Sequence, residues 1–324
     1  MTTKDILEMK RIECFKIRIG ELREGQIWDI KSQNVLLDIF FGKSSLESNP
    51  CIIIADPFLF VFNDTLYLFY EEKRLHTDGI LKMIKTTDLE NWSIPVNVLE
   101  EPFHLSYPFV FEEGDQIYMI PETCAVGEVR LYKTESLNPC RFKKECLLLN
   151  HNGIKSDVIV DYSDSSVYKH KDGIYYLMTT LNVKGENQLH IYLSDKLEGP
   201  YKSHPLSPVC TSREYGRNAG GLIENNGKLY RVAQDCSVRY GDNIHVFEIK
   251  ELSQTKYKEK IVIRNIIDTS IPFYKEGGHQ YSVVQFKGKT ILATDAKEYQ
   301  SFITNRLLNK VKRYCMHFKY KTTK

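Results

Sequence analysis

Three carboxylates in this 324-residue chain stand where they could move protons: Asp56 in IADPFLF, Asp164 in DYSDSSVY and Glu122 at the end of MIPET. Carboxylates brought into one cavity divide acid and base work when their surroundings separate their pKa values, and glycoside chemistry commonly uses such a pair. The plainer reading of an aspartate at a strand start is a turn cap bonded to backbone amides, and Glu122 also reads as a surface or turn glutamate. Arg213 and Arg217 in REYGRNAGG offer forked donors suited to phosphate or carboxylate. Asp235 in AQDCS would pair with such an arginine equally well. His279 stands alone after Gly277-Gly278, where a hydrogen-bonding role competes with catalysis. Tyr107 and Tyr281 either stack on sugar rings or pack.

What must position these residues is a repeat. CIIIADPFLFVFNDTLYLFYEE (51–72) sets the pattern of apolar strand, polar turn and apolar strand. Segments aligned on the turn place Tyr107, Asp164, Ala219 and about Gln280 level with Asp56, at spacings of 51, 57, 55 and 61 residues. Hairpins recurring at such a period predict a radial β array rather than βαβ units, and here five blades. The inner strand of each blade lines the channel, so Asp56, Tyr107, Asp164 and His279 or Gln280 should converge at one mouth. Residues 1–49 supply strands at FKIRIG (15–20) and GQIWDI (25–30) that close the ring. The propeller proper spans 50–300, with VRLYK (129–133) as an outer strand. The segment 301–324 is basic, without an acidic residue. Its Leu307, Leu308, Val311 and Tyr314 fall near helical spacing, so it forms either a short helix suited to an anionic membrane or an element packed on the propeller.

Composition narrows the function. A net charge of +2 gives no global electrostatic case for nucleic acid. The eight cysteines include no C-x-x-C pair, and D-x-D, Walker and dinucleotide-binding motifs do not occur, so no metal or cofactor is signalled. The first residues lack a signal-peptide apolar run, which with unpaired thiols points to a cytoplasmic setting, peripheral to the inner membrane surface where the basic segment engages lipid.

The strings IADPFLFVFNDTLYLFYEE, HLSYPFVFEEGDQIYMIPET, VRLYK, DSSVYKHKDGIYYLM and GKLYRVAQDCSVRYG resemble the N-terminal propeller of the glucosamine inositolphosphorylceramide transferases and their bacterial relatives, over about residues 50–250. That propeller is similar in fold to glycoside hydrolase families 43 and 32. The resemblance implies an all-β, five-bladed β-propeller with a carbohydrate site in its funnel. It further implies that Asp56 matches the base and Asp164 the pKa-modulating aspartate of family 43. The family places its general acid at a Glu-Gly opening blade 4, where this chain reads Arg217-Asn218-Ala219-Gly220-Gly221. Glu122 is the nearest substitute. The expected function is glycosyl transfer from an activated donor, with Arg217 near its phosphate, a carbohydrate or nucleotide sugar as partner and a lipid-linked acceptor as a further candidate partner. A non-catalytic glycan-binding scaffold and a hydrolase with a displaced acid are the alternatives.

Overall fold

A computed structural model describes residues 7–41, 49–150 and 161–305. The helix expected after Asn305 lies outside them. Nearly all regular structure is strand, and among the described residues no helix is long and apolar enough to cross a membrane.

Four antiparallel strands make each of the first two blades: Cys51–Phe62, Thr65–Arg74, Ile80–Thr86 and Val96–Leu99 in blade 1, then Ser106–Glu113, Gln116–Thr123, Glu128–Thr134 and Phe142–Asn150 in blade 2. Blade 3 runs through Tyr162–Lys169, Tyr175–Val183 and Glu186–Ser194 to the short outer pairing of Lys202–Ser203. Blade 4 has an interrupted inner strand, Arg217–Asn218 and Ile223–Asn225, followed by Lys228–Asp235, Asn243–Leu252 and Tyr257–Ile263. In blade 5, Tyr281–Phe286 and Lys289–Asn305 are joined by the N-terminal strand Leu7–Leu22 and then Asn34–Ile39. The N-terminus is therefore built into the last blade, and Phe15 opposite Ile53 links that blade to the first. Closure in this manner leaves no open edge at the seam.

The strands read as they do because of where their faces go. Blades stack face to face, so an inner strand such as Cys51–Phe62 is apolar on both sides rather than alternating. Five apolar clusters fill the five interfaces between neighbouring blades. Blades 5 and 1 share Ile17, Leu68 and Ile291, and blades 1 and 2 share Phe69, Met83 and Met119. Blades 2 and 3 meet at Leu131 and Leu177, blades 3 and 4 at Met178 and Ile249, and blades 4 and 5 at Val232, Ile244 and Leu292. The tight hairpins have the chemistry expected of them: Asn63-Asp64, Asn226-Gly227 and Lys287-Gly288 hold positive φ at both central residues.

Two sequence expectations are corrected. Residues 25–30 form no strand. Amides of Gln26 and Asp29 bond back to Arg23 and Gln26 in consecutive turns, Gly25 has φ +72°, and the fourth strand of blade 5 comes from Asn34–Ile39. VRLYK is the third strand of blade 2, covered by Phe142–Asn150, rather than the outermost.

Candidate functional site

The inner strands of blades 1, 2 and 3 share a backbone device. Asp56, Tyr107 and Asp164 each adopt a left-handed conformation, with φ of 54°, 47° and 51°. Each sits at a register shift in the pairing with the second strand: Ala55/Phe58, Ser106/Phe109 and Ser163/Ser166. A bulge of this kind turns one side chain out of the pleat, here toward the ring axis or the neighbouring blade. It also leaves an amide unpaired in its own ladder, and carboxylates of other blades accept these amides. Asp295 takes the amide of Asp56 at 3.2 Å, Asp56 that of Tyr107 at 3.0 Å, and Glu122 that of Asp164 at 3.1 Å.

Asp56, Glu122, Asp164, Arg217 and His279 line one cavity of about 140 Å³ together with Glu71, His104, Tyr240, Phe15 and Ser106. Taking about 30 Å³ per water, that is room for a handful of waters or one sugar ring, and well below a pocket for a whole nucleotide sugar. Asp164 Oδ2 accepts Nε of Arg217 at 2.5 Å and Nε2 of Gln234 at 3.1 Å, and the second arm of Arg217 lies 3.8 Å from Glu122. Glu122 is further held by Ser106 Oγ at 3.1 Å and Cys124 Sγ at 3.2 Å. On the other side His279 is clamped between carboxylates, Nδ1 2.8 Å from Asp295 and Nε2 3.3 Å from Asp56. Tyr240, 38% exposed, is the most open aromatic of the lining; Arg217 lies 5.1 Å from its ring centre and the His279 ring meets it edge-on.

Burial and crowding set the protonation states. Burial raises the Glu71 carboxyl well above the usual range, and the charge of Asp56 pushes the same way. Burial likewise pushes Asp164 up to about 8, against the pull of Arg217. Burial disfavours the His279 imidazolium, but Asp295 and Asp56 outweigh it and hold its pKa well above normal. Arg217 stays charged in the same way, through Asp164. His104 shifts down, chiefly by burial, and its Nδ1 accepts the amide of Gly79 at 2.8 Å, so the ring is neutral with its proton on Nε2.

The ligand atoms of Asp56, His279 and Asp295 lie within 4.8 Å of one another, close enough to hold a cation. The imidazolium itself supplies the positive charge there, and a metal would have to displace its proton. Glu214, Asp235 and His245 form a second such group. There the amide of Asn265 donates to Nδ1 of His245, which puts the ring proton on Nε2, 3.4 Å from Asp235, and leaves no lone pair for a metal.

Four residues singled out from the sequence fall elsewhere. Tyr107 is fully buried against Phe58 and serves the site only through its amide. Tyr281 is 1% exposed, bonds through its hydroxyl to the carbonyl of Ile27 and packs on Trp28. Neither can stack on a sugar, because the interface between blades covers both rings. Arg213 is exposed away from the cavity, and Asp235 faces His245 rather than Arg217. Residues 217–221 of blade 4 carry no acid, and the two glycines there are fixed by packing: a Cβ on Gly220 would lie 2.3 Å from the carbonyl oxygen of Tyr281, and one on Gly221 2.7 Å from the Phe109 ring.

Sequence reasoning missed Glu71, His104, Tyr240 and Asp295. For two of them a signal existed. Second-strand residues follow the inner-strand positions by fifteen residues, or sixteen in blade 3, giving Glu71, Glu122, Thr180, Gln234 and Asp295. Their register confirms the equivalence in the first blades: Ala55 faces Glu71, Ser106 faces Glu122 and Ser163 faces Thr180.

A family model described as glucosamine inositolphosphorylceramide transferase 1, N-terminal, matches residues 18–286. Glucosamine inositolphosphorylceramide transferase 1 of Arabidopsis thaliana is 34% identical over 244 residues, covering 73% of this chain and 30% of that protein. The protein of the same name from Oryza sativa subsp. japonica is 34% identical over 218 residues, covering 65% and 28%. The chain thus spans under a third of the length of these relatives. Among solved structures, an alpha-L-arabinofuranosidase from Lactobacillus brevis superposes with a TM-score of 0.55 at 11% identity, over 76% of this chain and 90% of that one. The arabinofuranosidase CtGH43 from Clostridium thermocellum gives 0.53 at 17%, over 73% and 80%. A GH32 beta-fructofuranosidase from Bombyx mori gives 0.51 at 14%, over 74% and 54%. These likenesses show the propeller fold.

Proposed function

The chain belongs to the family of the glucosamine inositolphosphorylceramide transferase 1 N-terminal region, and from that premise we propose that its funnel is a glycosyl-transfer site of glycoconjugate assembly. The observation that carries the reading is the convergence of Asp56, Glu71, Glu122 and Asp164 with Arg217 and His279 on a cavity of about 140 Å³. Paired carboxylates in differing protonation states are what proton transfer at an anomeric centre needs. Asp56 is the base. Its two oxygens each hold one partner, Tyr107 and His279, and each keeps a lone pair for the hydroxyl of an acceptor. Asp164 and Arg217 act as a fixed pair that sets the field of the cavity, while Tyr240 supplies an aromatic wall to it.

The relatives' name points to an amino sugar as the transferred group and an inositol phosphate lipid as acceptor. The cavity takes the sugar ring; the rest of the donor and the lipid extend from its mouth. A cytoplasmic location at a membrane surface, with the basic segment 301–324 against lipid, belongs to the same reading and is tested by fractionating cells with and without that segment. The functional test combines purified protein, a panel of nucleotide sugars including hexosamines, and inositol phosphate lipids, with products read by mass spectrometry. Lipid-linked sugar formed by the wild type and lost in Asp56→Asn supports transfer. Free sugar alone would indicate hydrolysis.

A second reading has one observation of its own. Blade 4 carries no acid at residues 217–221, and Glu122, Asp164 and Asp56 are each engaged by protein donors, as in a rigid binding site. Sugar binding without turnover across the panel would favour a glycan-binding scaffold.

A further inference from the structure

Around the ring, second-strand carboxylates have a structural task. Asp295 of blade 5 accepts the bulge amide of Asp56 in blade 1, and Glu122 of blade 2 accepts that of Asp164 in blade 3. By the same pattern Glu71 of blade 1 would take the amide of Tyr107 in blade 2. It does not, because Asp56 Oδ2 takes that amide at 3.0 Å. Glu71 is left with Oε1 buried and without a hydrogen-bond partner, in a residue only 4% exposed that lines the cavity beside Asp56. A buried polar atom without a partner is costly, and ring geometry does not require this one.

The surroundings are shaped to keep it there. His104 presents its Nε2–H side to Oε1 at 3.5 Å, longer than a hydrogen bond, with the ring fixed by the amide of Gly79 on Nδ1. A Cβ on Gly79 would come within 2.6 Å of Glu71 Oε1 and 2.7 Å of the His104 ring, so glycine there leaves the space both side chains use.

We propose that Glu71 is the general acid of the funnel, delivering its proton to the oxygen that leaves the anomeric carbon; this rests on the glycosyl-transfer reading above. The hydroxyl oxygen of the acceptor attacks the anomeric carbon and gives its proton to Asp56. The bond to the leaving oxygen breaks, its electron pair goes to that oxygen, and the oxygen takes the proton of Glu71. Glu71 ends as carboxylate and Asp56 as acid, and exchange with water after product release restores both. The place of the acid thus moves from blade 4, where the chain reads Arg217-Asn218-Ala219-Gly220-Gly221, to the second strand of blade 1. Burial, reinforced by Asp56, keeps Glu71 protonated for this task.

The test uses wild type, Glu71→Gln and Asp56→Asn of the full chain on aryl glycosides of graded phenol acidity and on nucleotide sugars. Glu71→Gln should lower kcat/KM by roughly 10²–10⁴ on the least acidic phenol and by less than about tenfold on the most acidic, which leaves without help. Sugar binding by calorimetry should stay unchanged. The infrared difference spectrum of wild type minus Glu71→Gln at neutral pH should carry a protonated-carboxyl band of Glu71, the contribution of Asp164 being common to both proteins. Equal losses across the phenols, full activity in Glu71→Gln, or no such band in the difference spectrum would overturn the acid role and leave glycosyl transfer standing. A wild type that turns over none of the probes, while Asp56→Asn binds them equally well, overturns the glycosyl-transfer reading and the acid role with it.

Discussion

Replacing Glu71 by glutamine should stabilise the protein, and more so at higher pH. In the unfolded chain a glutamate loses its proton near about 4.3. In the fold, burial and then the charge of Asp56 hold that proton to a much higher pH. Between the two values the native state binds one proton more than the unfolded state. The stability linked to this group is therefore fully present below the unfolded value and is lost as pH rises through the folded one, at about 1.4 kcal/mol per pH unit. Glutamine keeps the shape and does not titrate. Asp164 and His279, whose pKa values are also raised, are present in both proteins and largely cancel in the comparison. Urea unfolding of the two proteins over a pH series above the unfolded value should show a gap that widens with pH, by about 1.4 kcal/mol per unit for as long as the native state holds the extra proton. A gap that stays constant or narrows would refute a protonated Glu71.

Other perturbations probe the rest of the funnel. Asp56→Asn should cut transfer by roughly 10² or more with sugar affinity nearly intact, measured by steady-state kinetics beside calorimetry. Arg217→Met should destabilise the fold by about 3–5 kcal/mol in chemical denaturation, because Asp164 and Glu122 lose the cation they share. Within the pair, Nε of Arg217 is committed to Asp164. Tyr240→Ala should weaken sugar binding about tenfold in titrations without changing the circular dichroism spectrum, since its ring is part of the cavity lining. Ile17→Ala, in the N-terminal strand that completes blade 5, should cost about 2–5 kcal/mol by urea unfolding, as a fully buried side chain at the seam of the ring.

Much of the architecture was legible because it is local. Hairpin turns such as Asn63-Asp64 and Asn226-Gly227 carry positive-φ chemistry in adjacent residues, and the runs between them are strands whichever way the chain later folds. The phase of the repeat carried further, putting Asp56 and Asp164 on inner strands, where they line one cavity with Arg217 and His279, members of blades 4 and 5. The same phase, followed fifteen residues on, already contained Glu71, Glu122 and Asp295.

What only tertiary structure decided is which partner each group receives. Tyr107 occupies the same bulge as Asp56 and Asp164, yet its ring goes into the packing between blades, and Tyr281 likewise gives its hydroxyl to Ile27. Asp235 is one residue from Gln234, which bonds Asp164, but strand alternation sends Asp235 to His245 instead. Glu71, Glu122 and Asp295 are equivalent in sequence, and they differ because one bulge amide, that of Tyr107, is taken by Asp56. Such assignments depend on which acceptor reaches each bulge amide from 51, 42 or 239 residues away in sequence. The repeat determined where the carboxylates stand; the closed ring decided that Glu122 and Asp295 would hold backbone and that Glu71 would be left free to carry a proton.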